Sequence, residues 1–264
     1  MPDAWNPTQY ERFAAERTQP FWVLIALVEP PPPGGRVADL GCGTGELTAT
    51  LVDRWQPAEL VGIDSSESML DRAAANAGGP LRFELGDLAC PPVTGSFDVI
   101  VANASLHWVP DHPAVLARWR DLLVPDGQIA VQVPANLDHA SHVVADEVAH
   151  EPRFVEALGG DIPADAVHSV LRPEAYAELL DSLGFVRQNV RLQVYGHHLV
   201  DTAQVVEWVK GTSLTRFQSR MDPETFDAFV DRYRQRLLEV VGLRAPYFYA
   251  FKRILMWGRL GGSR

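Results

Sequence analysis

Three glycines and two carboxylates early in the chain carry its most legible chemistry. Gly41, Gly43 and Gly45 alternate through Asp39-Leu40-Gly41-Cys42-Gly43-Thr44-Gly45. Glycine lets a chain turn sharply and lets its backbone approach a ligand with no Cβ in the way. Asp64 follows 19 residues after Gly45. At the tip of the next strand of a parallel sheet, a carboxylate can accept both hydroxyls of a ribose. The dinucleotide pattern G-x-G-x-x-G would put its third glycine at position 46, where this chain has Glu46. A glutamate in the first helical turn would repel a pyrophosphate where that fold needs a positive helix end. The spacing therefore predicts a ligand that carries a ribose and no phosphate.

Other chemistries are excluded by what is absent. The histidines are scattered, and none stands at metal-ligand spacing with cysteines or carboxylates. No metal is expected. No local motif suggests a Ser-His-Asp arrangement, although such a set can assemble in space from distant segments. The 23 basic residues against 34 acidic ones give a net charge of −11. That balance argues against binding nucleic acid or an anionic membrane surface, since both need a field of Lys and Arg. The average hides a division. Residues 202–264 hold 11 basic and 6 acidic residues, a local charge of +5, which leaves −16 for the rest. A solvated basic helix is the plain reading of that stretch and a site for a small anion the sharper one. Only Cys42 and Cys90 occur, so no disulfide framework is implied and a reducing compartment is the default. Met1 to Glu16 has no basic region followed by an apolar core, and the run Phe21 to Val28 is far below the ~20 residues that span a bilayer. A cytoplasmic protein is expected.

The elements that must position these groups follow from the hydrophobic pattern. The 264 residues are long for one α/β unit of roughly 150 and short for two, which predicts one core with an insertion. The prolines at 30–33 must end a helix spanning about Thr8 to Leu27. Apolar runs at 36–40, 60–63, 81–85, 97–102 and 128–133 alternate with helical stretches, the signature of parallel βαβ units. The rhythm changes after Asn136. Residues 138–158 and 173–183 read as helices, 185–198 as a strand, 202–210 and 223–241 as helices, and the end as a last edge strand. This divides the chain into a helical segment over the site (1–30), a ligand-binding core (31–136), helices and a late strand completing that core (137–201), a helical cap (202–245), and an edge strand and tail (246–264).

The core motifs together resemble the S-adenosylmethionine (SAM) site of class I methyltransferases. The stretches that carry the resemblance are Asp39 to Gly45, Gly62-Ile63-Asp64-Ser65-Ser66, Gly86-Asp87-Leu88, Phe97 to Ala104 and Leu123-Val124-Pro125-Asp126-Gly127. The resemblance implies a Rossmann-like sheet, mostly parallel with a late antiparallel strand and a helical cap. It implies that Gly41, Gly43 and Gly45 wrap the methionine part of SAM and that Asp39 meets its ammonium. Asp64 would take the ribose, Asp87 the adenine amine, and Met69 and Leu88 the two faces of the ring. Ser65 and Asn103 complete the expected cofactor set.

The outer segments narrow the resemblance. Trp5 to Tyr10 with Arg17 and Pro20, Asn103 to Val109, and Trp208 to Thr212 with Arg216 are similar to the trans-aconitate methyltransferase family. That family esterifies one carboxylate of a small tricarboxylic acid, so such an acid is the implied partner. A carboxylate is already an anion at pH 7 and needs no general base. Tyr10, His107 and Trp108 are then expected to position the reaction. Counter-charges must hold the carboxylates that do not react, and bidentate arginines suit them. The candidates are Arg17, Lys210, Arg216, Lys252 and Arg253. Arg232, Arg234 and Arg236 sit among Asp231 and Glu239 and read as a charged outer face. Four other readings stay open: another carboxylate acceptor such as an acyl-chain acid, methylation at carbon or nitrogen, a SAM-binding module without catalysis, and nucleic-acid methylation, which the acidic core opposes. The sequence leaves the oligomeric state undefined.

Overall fold

The computed structural model describes residues 14–262. Seven strands form one sheet: β1 (Arg36–Leu40), β2 (Glu59–Asp64), β3 (Leu81–Leu85), β4 (Phe97–Asn103), β5 (Leu123–Pro134), β6 (Phe185–Leu199) and β7 (Tyr247–Leu260). Their order is β3-β2-β1-β4-β5-β7-β6. β1 to β5 pair in parallel, and β7 runs antiparallel to both β5 and β6. The expected sheet, mostly parallel with late antiparallel pairing, is the one observed.

Residues 37–40, 60–63 and 99–102 are continuously buried, as strands covered on both faces must be. On one face, Phe21 and Leu24 of helix Ala14–Ile25 and Leu51 and Trp55 of helix Glu46–Trp55 pack with Val37, Val99 and Leu255. On the other, Val115 and Trp119 of helix His112–Asp121 and Tyr176 and Leu180 of helix Pro173–Ser182 pack with Ile100, Ile129 and Ile254. Each fully buried large side chain contributes about 1.5–3 kcal/mol. Helix Glu67–Ala73 starts where the Ser66 hydroxyl accepts the Met69 N–H at 3.2 Å, and this cap fixes the approach of Met69 to the strand tips.

Two expectations are corrected in the sheet. β7 is not an edge strand; it lies between β5 and β6, and β6 is the edge. The residues carry the reason. Ile254 to Trp257 are buried on both faces, whereas β6 alternates and exposes Val186, Leu192 and Val194. β5 also begins at Leu123 rather than Gln128. The turn Leu123 to Gly127 is a bulged entry to the strand, with the register shifting between Phe97 and Val99 and Asp126 at φ +64°.

The pairing of β6 with β7 continues past the end of β5, from the level of Pro134 and Arg253 out to Leu199 and Tyr247. The two strands thus leave the sheet as a ribbon. Helices Gln204–Lys210, Thr215–Gln218 and Pro223–Val241 lie between them in the chain and form a cap with its own core. Trp208, Phe217, Phe229 and Tyr233 pack there with Val144, Val148 and Phe154. This packing corrects the expected division at 137–201. Helices Ala140–Ala149 and Pro152–Ala157 belong with the cap, because the chain has left the sheet at Pro134 and their apolar faces meet the cap helices. They are also two helices instead of one, broken where Pro152 lacks an N–H. The outer-face arginines tie the cap together. Arg232 meets Glu151 at 2.7 Å and Arg234 meets Glu207 at 3.5 Å. Such partly exposed pairs each contribute up to about 1 kcal/mol. Among the described residues, no helix is long and apolar enough to cross a membrane.

Candidate active site

Open α/β sheets bind ligands outside the carboxyl ends of their strands, where the strand order reverses. Here that point lies between β1 and β4. The glycine loop leaves β1 there and is bound to β2. Gly41 and Cys42 donate their N–H groups to the Ile63 carbonyl at 2.7 and 3.1 Å. The Asp64 carboxylate accepts from the Gly43 N–H at 2.8 Å and from the Ser66 N–H at 3.0 Å. The glycines differ in what they do. At Gly41, with φ +85°, a Cβ would stand 2.2 Å from the Ser105 Cβ. Ser105 is held there by its hydroxyl, which donates to the Leu40 carbonyl at 2.6 Å. At Gly45 a Cβ would stand 2.5 Å from the Phe83 ring. At Gly43, with φ +57°, nothing lies within 4 Å, and the backbone faces open cavity.

Two cavities flank this loop. One is lined by Thr18, Phe21, Asp39, Glu46 and Asn103, the other by Asp64, Ser65, Met69, Leu88 and Asn103, and both touch Gly41 and Gly43. Among the described residues their walls carry Asp39, Glu46 and Asp64 and no basic side chain, so the field favours a cation. Asp39 is 4 % exposed and accepts the Thr48 hydroxyl at 2.6 Å. Burial raises its pKa to about 6, with Thr48 opposing and the charge of Asp64 adding to the rise. The Asn103 Oδ1 is buried with no hydrogen-bond partner among the described residues. Buried polar atoms are rarely left so, and a ligand donor fits that place. Asp87 is exposed beside Leu88 and accepts the Ala89 N–H at 2.8 Å. Burial pushes the Cys42 thiol up, away from reactivity.

A third cavity adjoins the second through Ala104 and Trp108. β7 runs antiparallel, so its early residues lie at the same end of the sheet as the carboxyl tip of β5, and Arg253 stands opposite Pro134. Arg253 lines this cavity at 5 % exposure and donates to the Gln132 Oε1 at 3.0 Å. His107, in the short turn Leu106–Trp108, lines it too, its ring tilted 43° against that of Trp108 with centroids 4.7 Å apart. Burial and the charge of Arg253 lower its pKa to about 3, so the ring is neutral at physiological pH. Its Nδ1 is buried without a partner among the described residues. Trp208 and Phe251 supply apolar wall.

The far wall holds residues that sequence reasoning missed. Asp165 Oδ2 faces His142 Nδ1 at 3.0 Å and accepts the Ser213 hydroxyl at 2.5 Å, and all three residues line the cavity. This is not a nucleophile triad, since serine and histidine meet the same carboxylate oxygen and Ser213 lies on the Nδ1 side of the ring at 3.4 Å. The three come from a cap helix, a loop and the cap insertion, so no local motif joins them. Gln132 did carry a signal, a polar side chain fully buried in an apolar strand run.

The expected cations divide. Arg253 faces the cavity. Arg216 stands behind its wall, 2.6 Å from Asp146 and 3.6 Å from Asp165, and donates to the Pro163 carbonyl at 3.2 Å. Lys252 does not face the cavity, because neighbouring strand residues point to opposite faces. It pairs with Asp138 and lines a separate groove with Leu192 and Arg172. Lys210 is half-buried and not on the cavity wall. Tyr10 and the Arg17 side chain lie outside the described residues. Among the described residues, no cluster of His, Cys, Asp and Glu is arranged to hold a metal.

This strand order, with a glycine loop on β1 and a carboxylate at the tip of β2, is that of a class I methyltransferase, and the methyltransferase-domain family matches residues 37–127. The crystal structure of the YcgJ protein from Bacillus subtilis superposes at a TM-score of 0.59, covering 92% of this chain and 98% of that one at 16% identity, a likeness of fold. A trans-aconitate 2-methyltransferase of Deinococcus radiodurans is 46% identical over 95% of this chain and 96% of its own length. One from Mycobacterium tuberculosis is 34% identical over 98% of each. The chain belongs to the trans-aconitate 2-methyltransferase family, and it is a SAM-dependent methyltransferase.

Proposed function

We propose that this chain is a carboxyl O-methyltransferase that forms the monomethyl ester of trans-aconitate or a closely related small tricarboxylic acid. One observation carries the reading: of the two acidic cavities, the one at Asp64 shares the wall residues Ala104 and Trp108 with a third that holds the buried cation Arg253. A cationic donor and an anionic acceptor are thereby drawn to adjoining spaces. The named activity of the relatives agrees with it.

Bound in the acidic cavities, SAM supplies a methyl group on a positively charged sulfur. Asp39 holds the ammonium end, and the open backbone at Gly43 allows close approach. Asp64 takes the ribose hydroxyls with Ser65 beside it. Met69 and Leu88 enclose the adenine, Asp87 meets its amine from the rim, and Asn103 turns its unpaired oxygen to the ligand. In the acceptor cavity Arg253 grips a carboxylate that does not react, and Gln132 holds the guanidinium in place. The reacting carboxylate is an anion at pH 7 and needs no base. Neutral His107 offers its Nδ1 to that carboxylate or to the carboxylate of SAM. Trp108, Trp208 and Phe251 exclude water. Such alignment can supply on the order of 7–11 kcal/mol of the barrier.

The test is product identity, read by mass spectrometry after incubation with SAM and a panel of acids. Trans-aconitate should give a monomethyl ester. Esterification of a long-chain acid, with tricarboxylates inert, would refute the reading.

A further inference from the structure

We propose that His142 is a carboxylate anchor of the acceptor cavity, with its ring oriented by Asp165. The inference deepens the proposed function and rests on an anionic acceptor occupying this cavity.

The geometry starts from Asp165. This residue is 5 % exposed and accepts three hydrogen bonds, from the His142 ring at 3.0 Å, the Ser213 hydroxyl at 2.5 Å and the Val167 N–H at 3.2 Å, and it pairs with the Arg216 guanidinium at 3.6 Å. Burial pushes its carboxyl up, yet the His142 hydrogen bond and the charges of His142 and Arg216 outweigh that and hold it far below the usual range. It is therefore a fixed anion in the wall of a cavity proposed to take anions. A bare carboxylate there would repel the acceptor. Its use is explained if it serves His142 instead.

With Nδ1 held by Asp165, Nε2 is the ring nitrogen left to meet a ligand. An acceptor carboxylate offers only lone pairs, so Nε2 must carry a proton to bond it. Both contacts together use both ring nitrogens as donors, and the ring then lies between two anions, Asp165 behind and the acceptor in front. Arg253 lines the same cavity, and Arg216 stands behind Asp165.

The experiment is calorimetric titration of trans-aconitate into the full chain with S-adenosylhomocysteine present, beside steady-state kinetics. His142→Gln should weaken acceptor affinity about 10–100-fold, the range for a charged hydrogen bond. S-adenosylhomocysteine affinity should be kept, and KM should rise far more than kcat falls. A His142→Gln protein that binds acceptor as before, or that loses S-adenosylhomocysteine affinity equally, overturns the proposal. If that variant fails to fold, His142→Asn carries the same arm. Binding is read as heat and turnover as ester, so the proposed function and this anchor fail separately. An ester from another acid refutes only the former, and the titration is then run with that acid.

Discussion

The donor side and the acceptor side of this molecule are built by opposite means. The donor side is made of backbone. Its loop runs from Asp39 to Gly45, and its bonds go from main-chain N–H groups to the Ile63 carbonyl and the Asp64 carboxylate. The acceptor side is made of buried side chains from distant segments: Arg253 from β7, His107 after β4, His142 from a cap helix, Ser213 from the cap insertion. This backbone site has no room for a Cβ at Gly41 or Gly45. A side-chain site tolerates changes one group at a time, each with its own cost.

That contrast can be broken in order of effect. Gly41→Ala should be the most damaging, since its Cβ meets Ser105 at 2.2 Å in a left-handed conformation. SAM affinity should fall by about 100-fold or more with a lowered melting temperature, as overpacking and backbone strain add. Equilibrium binding that stays within a few-fold would refute the account of the loop. Arg253→Gln should raise the acceptor KM about 100-fold and leave SAM affinity unchanged. Loss of both affinities would mean that the two sides are not separable. Asp39 supplies a pH signature. Its pKa rises from 3.8 to about 6 on folding. The folded state thus holds a proton that the unfolded chain releases, so this group lowers stability as pH rises through that window, and the loss is complete above it. The ammonium of SAM prefers the carboxylate, so SAM affinity should fall below about pH 6, approaching tenfold per unit. A flat profile from about pH 5 to 7 would remove Asp39 from the ammonium site. Lys252→Ala should do least: KM within about twofold and stability within about 1 kcal/mol, as for a partly exposed pair. A large KM change there would put Lys252 back among the acceptor residues.

The same contrast explains what could be read in advance. Alternation of apolar runs with helical stretches, together with Gly41 to Gly45 and Asp64, made the sheet and the donor loop readable, because all of their determinants lie close together in sequence. Glu46 correctly spoke against phosphate, since it lines the cavity at the helix start. The acceptor side was hidden for a physical reason. A strand alternates its faces, so Arg253 and Lys252 differ in destination by one residue, and only the register of β7 against β5 decides between them. Arg216 looked like a ligand because it is a cation in a basic stretch, yet its partners Asp146 and Asp165 are more than 50 residues away. The cap boundary failed likewise: helix Ala140–Ala149 carries apolar residues that suit either core, and only its contacts assign it.

The order in which this protein is made bears on its function. β7 follows the six other strands in the chain and yet pairs between two of them. As synthesis proceeds, β5 and β6 wait with unpaired edges until Tyr247 to Leu260 emerges, and non-local closure of this kind is slow and exposed to aggregation. Arg253 arrives with that strand. A nascent chain halted before it has its whole donor loop and no acceptor clamp, so the capacity to hold a methyl donor precedes any capacity to spend it.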